Sequence, residues 1–204
     1  MEEWVIFVTG VASVGKTLFS MKLAEKLGIR FIDLPEVIME MKLYEYYDEV
    51  AREYVVDFRK VSGKLGSLLK KDKTIIASVY LFKPRNITVR LVIVLRVRPD
   101  ILMLRLRERG YPEWKIAENL LAEIVDKPLH DALKTFGKRK VIQIDVTDKN
   151  IDELVENVYS AYLSSNLRNL DVRVDWIGEL EKVERGHDVL QFLARYTKFI
   201  SKQI

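Results

Sequence analysis

Two hydrophobic periods alternate along this chain. Trp4 to Thr9 (WVIFVT) is an unbroken apolar run closed by Gly10, the pattern of a strand buried on both faces. Residues 17–27 then place Leu18, Met21, Leu23, Ala24 and Leu27 at helical spacing, and Gly28 ends the helix. The same reading predicts strands at 29–32, 74–78, 89–96 and 140–146. It predicts helices at 36–44, 59–71, 99–109, 112–136 and 151–165, with Pro128 kinking or dividing the longest. Strand–helix alternation of this kind predicts an α/β fold, a parallel sheet with helices on both faces. From residue 166 the alternation stops. Trp176, Ile177, Leu180 and Val183, then Val189, Leu190, Leu193 and Tyr196, predict two short amphipathic helices around Gly186. They are expected to cover an exposed face of the main domain; a partner or self-association surface is the alternative.

Composition narrows the class. With 204 residues and 49% hydrophobic side chains, the chain can build one large domain plus an appendage. The absence of cysteine excludes disulfides, thiolate zinc sites and thiol nucleophiles. The acidic start Met1-Glu2-Glu3-Trp4 is unlike a signal peptide, and no run approaches the ~18 apolar residues of a membrane span. A soluble, cytoplasmic protein with no membrane association is expected. The net charge of +4 is polarised rather than diffuse. Residues 81–109 carry eight basic side chains against two acidic ones, and residues 33–57 eight acidic against two basic. Such polarity predicts a site, with the basic stretch beside it.

The chemistry begins at Gly10-Val11-Ala12-Ser13-Val14-Gly15-Lys16-Thr17, which fits G-x-x-x-x-G-K-[ST]. Glycines let the backbone curl so that successive N–H groups point at phosphate oxygens, and the following helix offers its positive end to the same anion. Lys16 can reach the terminal phosphates, and the Thr17 hydroxyl can take a place on Mg²⁺. Ser13 and Val14 stand where many small kinases carry a further glycine. The guanine-reading signature N-K-x-D is absent, since Asp148-Lys149-Asn150-Ile151 does not match it. The chain is also short for a motor or hexameric ATPase module. A small kinase fits best, with short segments closing over two nucleotides.

Several segments resemble one known family. These are the loop GVASVGKT, the segment Tyr44 to Glu49 (YEYYDE), the run VLR at 94–96, and RLRERGYPEWKIAEN at 105–119 followed by Glu123-Ile124. Together they are similar to the adenylate kinase isoenzyme 6 family, small nucleotide kinases that also act as ATPases in small-ribosomal-subunit assembly. The resemblance extends from Trp4 to Leu163. It implies a doubly wound, five-stranded parallel sheet of the P-loop NTPase type over residues 1–165, with a helical C-terminal extension at 166–204. Residues 33–57 would be the monophosphate-binding arm and 109–119 a short lid. ATP and Mg²⁺ are implied as cofactor and metal, with AMP or a related monophosphate as acceptor. A basic ribosomal protein or rRNA is implied as partner, and ribosome biogenesis as a setting. ATP would be held by Gly10, Ser13, Val14, Gly15, Lys16, Thr17 and Leu18, with Thr17 on the metal. Arg109 matches the nucleotide-contacting lid arginine, Arg105 the arginine one turn before it, and Lys149 a lysine near the adenine. Independently, Arg105 and Arg109 are four apart on one helical pattern and can share a face, where planar guanidinium forks suit phosphate oxygens. Arg96, Arg98 and Arg107 read instead as a solvated basic face.

The pattern fails in one place. The family carries Asp-x-His after its third strand, and alignment on VLR puts Ala77 and Val79 there. Neither can hold a metal or move a proton. Asp33, after the second strand, and Asp145, ending the fifth, are the carboxylates that could approach instead. His130 and His187 read as surface, packing or turn residues. The acidic arm needs Arg52 or Arg85 to clasp a phosphate, and Tyr44, Tyr46, Tyr47 and Tyr54, at near-helical spacing, read as packing residues. Two functions follow: phosphoryl transfer from ATP to a monophosphate, or a nucleotide-regulated assembly factor with weak turnover.

Overall fold

The computed structural model describes residues 3–49, 53–69 and 72–200. Arg52 therefore lies outside the described residues. In chain order the elements are β1 (Trp4–Thr9), α1 (Lys16–Leu27), β2 (Arg30–Asp33), α2 (Leu34–Glu40), β3 (Tyr44–Asp48) and β4 (Glu53–Val56). There follow α3 (Phe58–Leu68), β5 (Lys73–Ala77), β6 (Thr88–Arg96), α4 (Pro99–Glu108), α5 (Glu113–Ile124) and α6 (Lys127–Phe136). The chain closes with β7 (Val141–Asp145), α7 (Ile151–Leu163), α8 (Trp176–Glu181) and α9 (Glu184–Ile200). Five strands form one parallel sheet in the order β2-β5-β1-β6-β7.

The continuous apolar run of β1 is explained by its central place. Its side chains alternate between two cores. Trp4, Ile6 and Val8 pack with α1, α4, α5 and α7, whereas Val5 and Phe7 pack with residues of α3 and α6. Phe7 and Val8 are wholly buried. This is a doubly wound sheet, as expected. No helix among the described residues is long and apolar enough to cross a membrane.

Two expectations change, and the expected division of the longest helix is found. The tyrosines of the arm are not helical: β3 and β4 form an antiparallel hairpin in which Tyr54 meets Tyr44 and Tyr47 with ring centroids 4.5 and 5.0 Å apart. Cross-strand aromatic pairing, not a helix face, sets their spacing. The long helix at 112–136 is divided at Asp126, whose φ of 56° stops α5, and Pro128 falls in the first turn of α6, where its missing N–H costs nothing. Gly186 lies within the first turn of α9 rather than between two helices. A Cβ there would stand 1.8 Å from the Leu180 carbonyl oxygen, so the residue is small because α8 and α9 touch.

The extension closes the exposed edge of β7. Gln143 N–H donates to Asp171 Oδ1 (2.9 Å), and Val172 N–H donates to the Gln143 carbonyl (3.1 Å). The Arg168 guanidinium donates to the carbonyls of Lys138, Arg139 and Val141. Edge groups that could template a further strand are thereby satisfied. Beyond this strap, Leu180, Val189 and Leu193 join the same core as α1, α4 and α5.

Candidate functional site

At the C-terminal end of β1 the chain turns through residues 10–15 into α1. Gly10, at φ 143°, passes so close to β6 that a Cβ would lie 2.6 Å from the Leu95 carbonyl oxygen. Only glycine permits this approach. Lys16 curls back over the loop, donating to the carbonyls of Gly10 (3.0 Å) and Val11 (2.7 Å). Burial of its ammonium lowers its pKa to about 8, with the Arg109 guanidinium pushing the same way and Asp33 opposing. Arg105 Nη1 reaches the Val14 carbonyl at 3.4 Å. Thus α4 brings Arg105 to the loop, and Arg109, which follows its last residue, is near enough to push the Lys16 pKa down.

Thr17 Oγ1 donates to Asp33 Oδ2 at 2.7 Å. A carboxylate therefore stands directly on the hydroxyl that the motif assigns to a metal. The end of β5, by contrast, carries no carboxylate: positions 77–79 are Ala77, Ser78 and Val79. Ala77 is buried, Val79 is 50% exposed, and the intervening Ser78 hydroxyl is spent on Tyr80, donating to its carbonyl and accepting from its N–H. Asp145 turns one oxygen onto its own loop, Oδ1 accepting from Thr147 N–H (2.9 Å). Among the described residues, no group of three or more His, Asp or Glu side chains is assembled that could hold a metal unaided.

Ser13 adopts φ 61°, the left-handed conformation that the more usual glycine would take without strain, and its buried hydroxyl has no partner among the described residues. Left-handed backbone at a non-glycine residue costs roughly 1–2 kcal/mol. Ser13→Gly is accordingly expected to stabilise the protein by about 1 kcal/mol, read as a rise of roughly 2–4 °C in Tm by calorimetry. An unchanged or lower Tm would show that the loop carries no such strain.

The remaining predicted residues are scattered. Leu18 is exposed in the first turn of α1. Lys149 lies after β7 and lines a cavity of about 280 Å³ with Arg98, Asp145, Thr147, Arg173 and Trp176. No hydrogen bond or ion pair among the described residues joins its side chain to the loop. His130 and His187 are both exposed.

The basic stretch 81–109 does not face the site as a block, which corrects the sequence expectation. Arg98 pairs with Asp100 and Asp148. Arg90 starts from the far end of β6, where a bulge stands its guanidinium 5.0 Å over the Trp4 ring. Arg96 is not solvated at all: it is 0% exposed, and donates to Glu123 Oε1 (2.7 Å), Gln143 Oε1 (2.8 Å), the Glu123 carbonyl (3.0 Å) and Asp126. Burial holds the Glu123 carboxyl above the usual range, with Arg96 opposing that shift.

One residue went unassigned in the sequence. Asn119 Oδ1 accepts the Ala12 N–H of the loop (3.0 Å), while its amide donates to the Lys115 carbonyl (2.8 Å). The signal was a lone amide amid the apolar positions of Ile116, Ala117 and Leu120.

A family model described as "AAA domain" matches residues 6–126. A Methanocaldococcus jannaschii protein bearing the description "Putative adenylate kinase" is 37% identical over 76% of this chain and 84% of its own. A Saccharolobus islandicus protein of the same description is 32% identical over 97% of this chain and 96% of its own. Among solved structures, a gluconokinase from Sinorhizobium meliloti superposes with a TM-score of 0.52 at 20% identity, over 82% of this chain and 97% of that one. A shikimate kinase from Acinetobacter baumannii gives 0.51 at 19%, over 81% and 96%. At such identity these two establish the fold, that of P-loop kinases. The phosphate loop, the strand order and the archaeal matches agree: the chain belongs to the AAA-domain family of P-loop proteins, with the archaeal proteins described as "Putative adenylate kinase" as its relatives.

Proposed function

We propose that this protein transfers a phosphoryl group from ATP to AMP or a related nucleoside monophosphate. The observation that carries this reading is the convergence of Lys16, Thr17, Asp33, Arg105 and Arg109 at one end of β1. A desolvated ammonium and two guanidinium groups suit the charge that develops on a transferring phosphoryl group, where positioning and electrostatics supply the catalysis. The orphaned Ser13 hydroxyl and the N–H groups of the loop fit phosphate oxygens. Mg²⁺ would be held by Thr17, with the Asp33 carboxylate beside it, and would supply charge neutralisation between phosphates. Lys16 holds the terminal phosphates, Arg105 and Arg109 offset their charge, and the arm at 33–57 with the lid at 109–119 encloses the acceptor.

The test is an acceptor screen with ATP, Mg²⁺ and each common nucleoside monophosphate. ADP should form with AMP or one of its relatives; no ADP above the Lys16→Ala background with any acceptor would sink the proposal. Binding should also depend on pH. The Lys16 pKa lies below its ordinary value, so the unfolded chain binds more protons between about 8 and 10.5, and folding stability gains as pH rises through that window. Anion binding needs the charged form and runs the other way. ATP affinity in calorimetric titrations is expected to fall beyond pH 8, approaching about tenfold per pH unit. A flat profile to pH 9.5 would show that Lys16 stays charged.

A second reading, nucleotide-regulated binding of a basic ribosomal protein, is favoured by one observation. The hairpin β3–β4 is acidic and presents Tyr46 with 57% of its surface exposed. It does not favour rRNA, whose charge has the same sign. Equal capture of a basic ribosomal protein with and without ATP would count against this reading.

A further inference from the structure

The C-terminal extension reaches the phosphate loop through α5. On α5, Asn119 and Glu123 are four residues apart and so share a face. Asn119 accepts the Ala12 N–H of the loop at 3.0 Å. One turn on, Glu123 Oε1 accepts the Trp176 indole N–H at 2.8 Å, the Arg96 Nε–H at 2.7 Å and the Val97 N–H at 3.3 Å. Glu123 and Trp176 are both buried, and Trp176 is the first residue of α8. We propose that the extension is a positioning element for the phosphate loop: Trp176 fixes Glu123, Glu123 fixes the rotation of α5, and α5 presents Asn119 to Ala12.

Without the Trp176 N–H, Glu123 Oε1 keeps Arg96 and Val97 but loses one of its three donors, and an under-satisfied buried carboxylate must find another donor or shift. Glu123 has little room to compensate, since its Oε2 already lacks a partner among the described residues. Rotation of α5 is then the available response, and it moves Asn119 from Ala12. The Ala12 N–H is one of the loop groups that would otherwise be free to misalign, so the loop's competence for a phosphate chain falls. Neither Trp176 nor Asn119 touches the reacting atoms; both act through the loop. The inference rests on the proposed ATP-binding role of that loop.

The test is a double-mutant cycle on the full chain, read as the equilibrium dissociation constant of ATP with Mg²⁺. Trp176→Phe removes the indole N–H and keeps an aromatic ring; it is expected to weaken ATP about fivefold. Asn119→Leu should weaken it about tenfold. On one path the two are not independent, so the double variant should stay near tenfold rather than reach their product. Val61→Ala loosens α3 packing in the other core, which holds no α5 residue; it should lower Tm and leave ATP affinity unchanged, which separates positioning from general stability. Wild-type affinity in Trp176→Phe, a multiplicative double variant, or an equal loss in Val61→Ala would each overturn the proposal. Should Trp176→Phe fail to fold, hydrogen exchange on the wild-type protein decides, because coupling is reciprocal. Saturating ATP should slow exchange in α8, and unchanged exchange there overturns the inference. If the wild-type chain does not bind ATP, the function proposed for the loop falls and takes this inference with it; if it binds and Trp176→Phe binds equally, only the inference falls.

Discussion

Replacing Lys16 with alanine is expected to lower phosphoryl transfer by at least about 10³-fold while leaving the protein folded. The ammonium is held inside the loop, donating to the Gly10 and Val11 carbonyls, and its burial is costly enough to bring its pKa to about 8. The cost of desolvating the ammonium offsets what its two hydrogen bonds contribute, so removing the group should cost little or no stability. Lys16→Ala should therefore match or exceed the wild-type Tm at pH 7, and the stability gained should shrink as pH rises above 8. That pairing of lost turnover with retained stability distinguishes a functional lysine from a structural one. ADP formation at more than about a tenth of the wild-type rate would remove Lys16 from the mechanism proposed for it. So would a Tm several degrees lower, since activity would then be lost through unfolding.

Much of the sheet was legible because its strands are buried on both faces. A run such as WVIFVT admits no solvent side and so reveals a central parallel strand without any alternation. The phosphate loop was legible because its chemistry dictates glycine, lysine and threonine at fixed separations. The hairpin β3–β4 was not, because a short, two-stranded, half-solvated ribbon needs neither apolar alternation nor a tight-turn signature. Charge misled for a different reason. Sequence position gives the sign of a side chain but not its partner, so Arg96, neutralised by Glu123 and Asp126, and Arg98, neutralised by Asp100 and Asp148, counted toward a basic cleft that they do not line. The Arg96–Glu123 pair had a signal after all: an arginine closing an apolar strand, and an acid inside the apolar helix LLAEI. Pairing the two required knowing that α5 packs beneath β6. The Asn119–Ala12 bond spans 107 residues, and no local pattern reports such a contact.

Asp33→Asn is the substitution expected to have the next largest effect, and it addresses how Mg²⁺ would be held with no carboxylate at the end of β5. With alanine at position 77, there are three ways to hold Mg²⁺: by Thr17 and phosphates alone, by Asp145, or by Asp33. Geometry separates them. Asp145 caps its own turn through Thr147 and has no bond to Thr17, whereas Asp33 accepts the Thr17 hydroxyl at 2.7 Å. The substituted amide would keep the size and one oxygen acceptor for Thr17 but lose the charge, so local structure should survive while attraction for a divalent cation falls. A single outer carboxylate of this kind is worth about 10–100-fold in metal affinity or activity. Asp33→Asn should therefore shift the Mg²⁺ concentration for half-maximal activity upward by that factor. In calorimetry it should narrow the gap between ATP affinity with and without Mg²⁺, a readout independent of turnover. Asp145→Asn should leave both unchanged. If instead Asp145→Asn raises the Mg²⁺ requirement and Asp33→Asn does not, the metal sits on the other side of the loop, and the Thr17–Asp33 hydrogen bond is a structural clasp between α1 and β2.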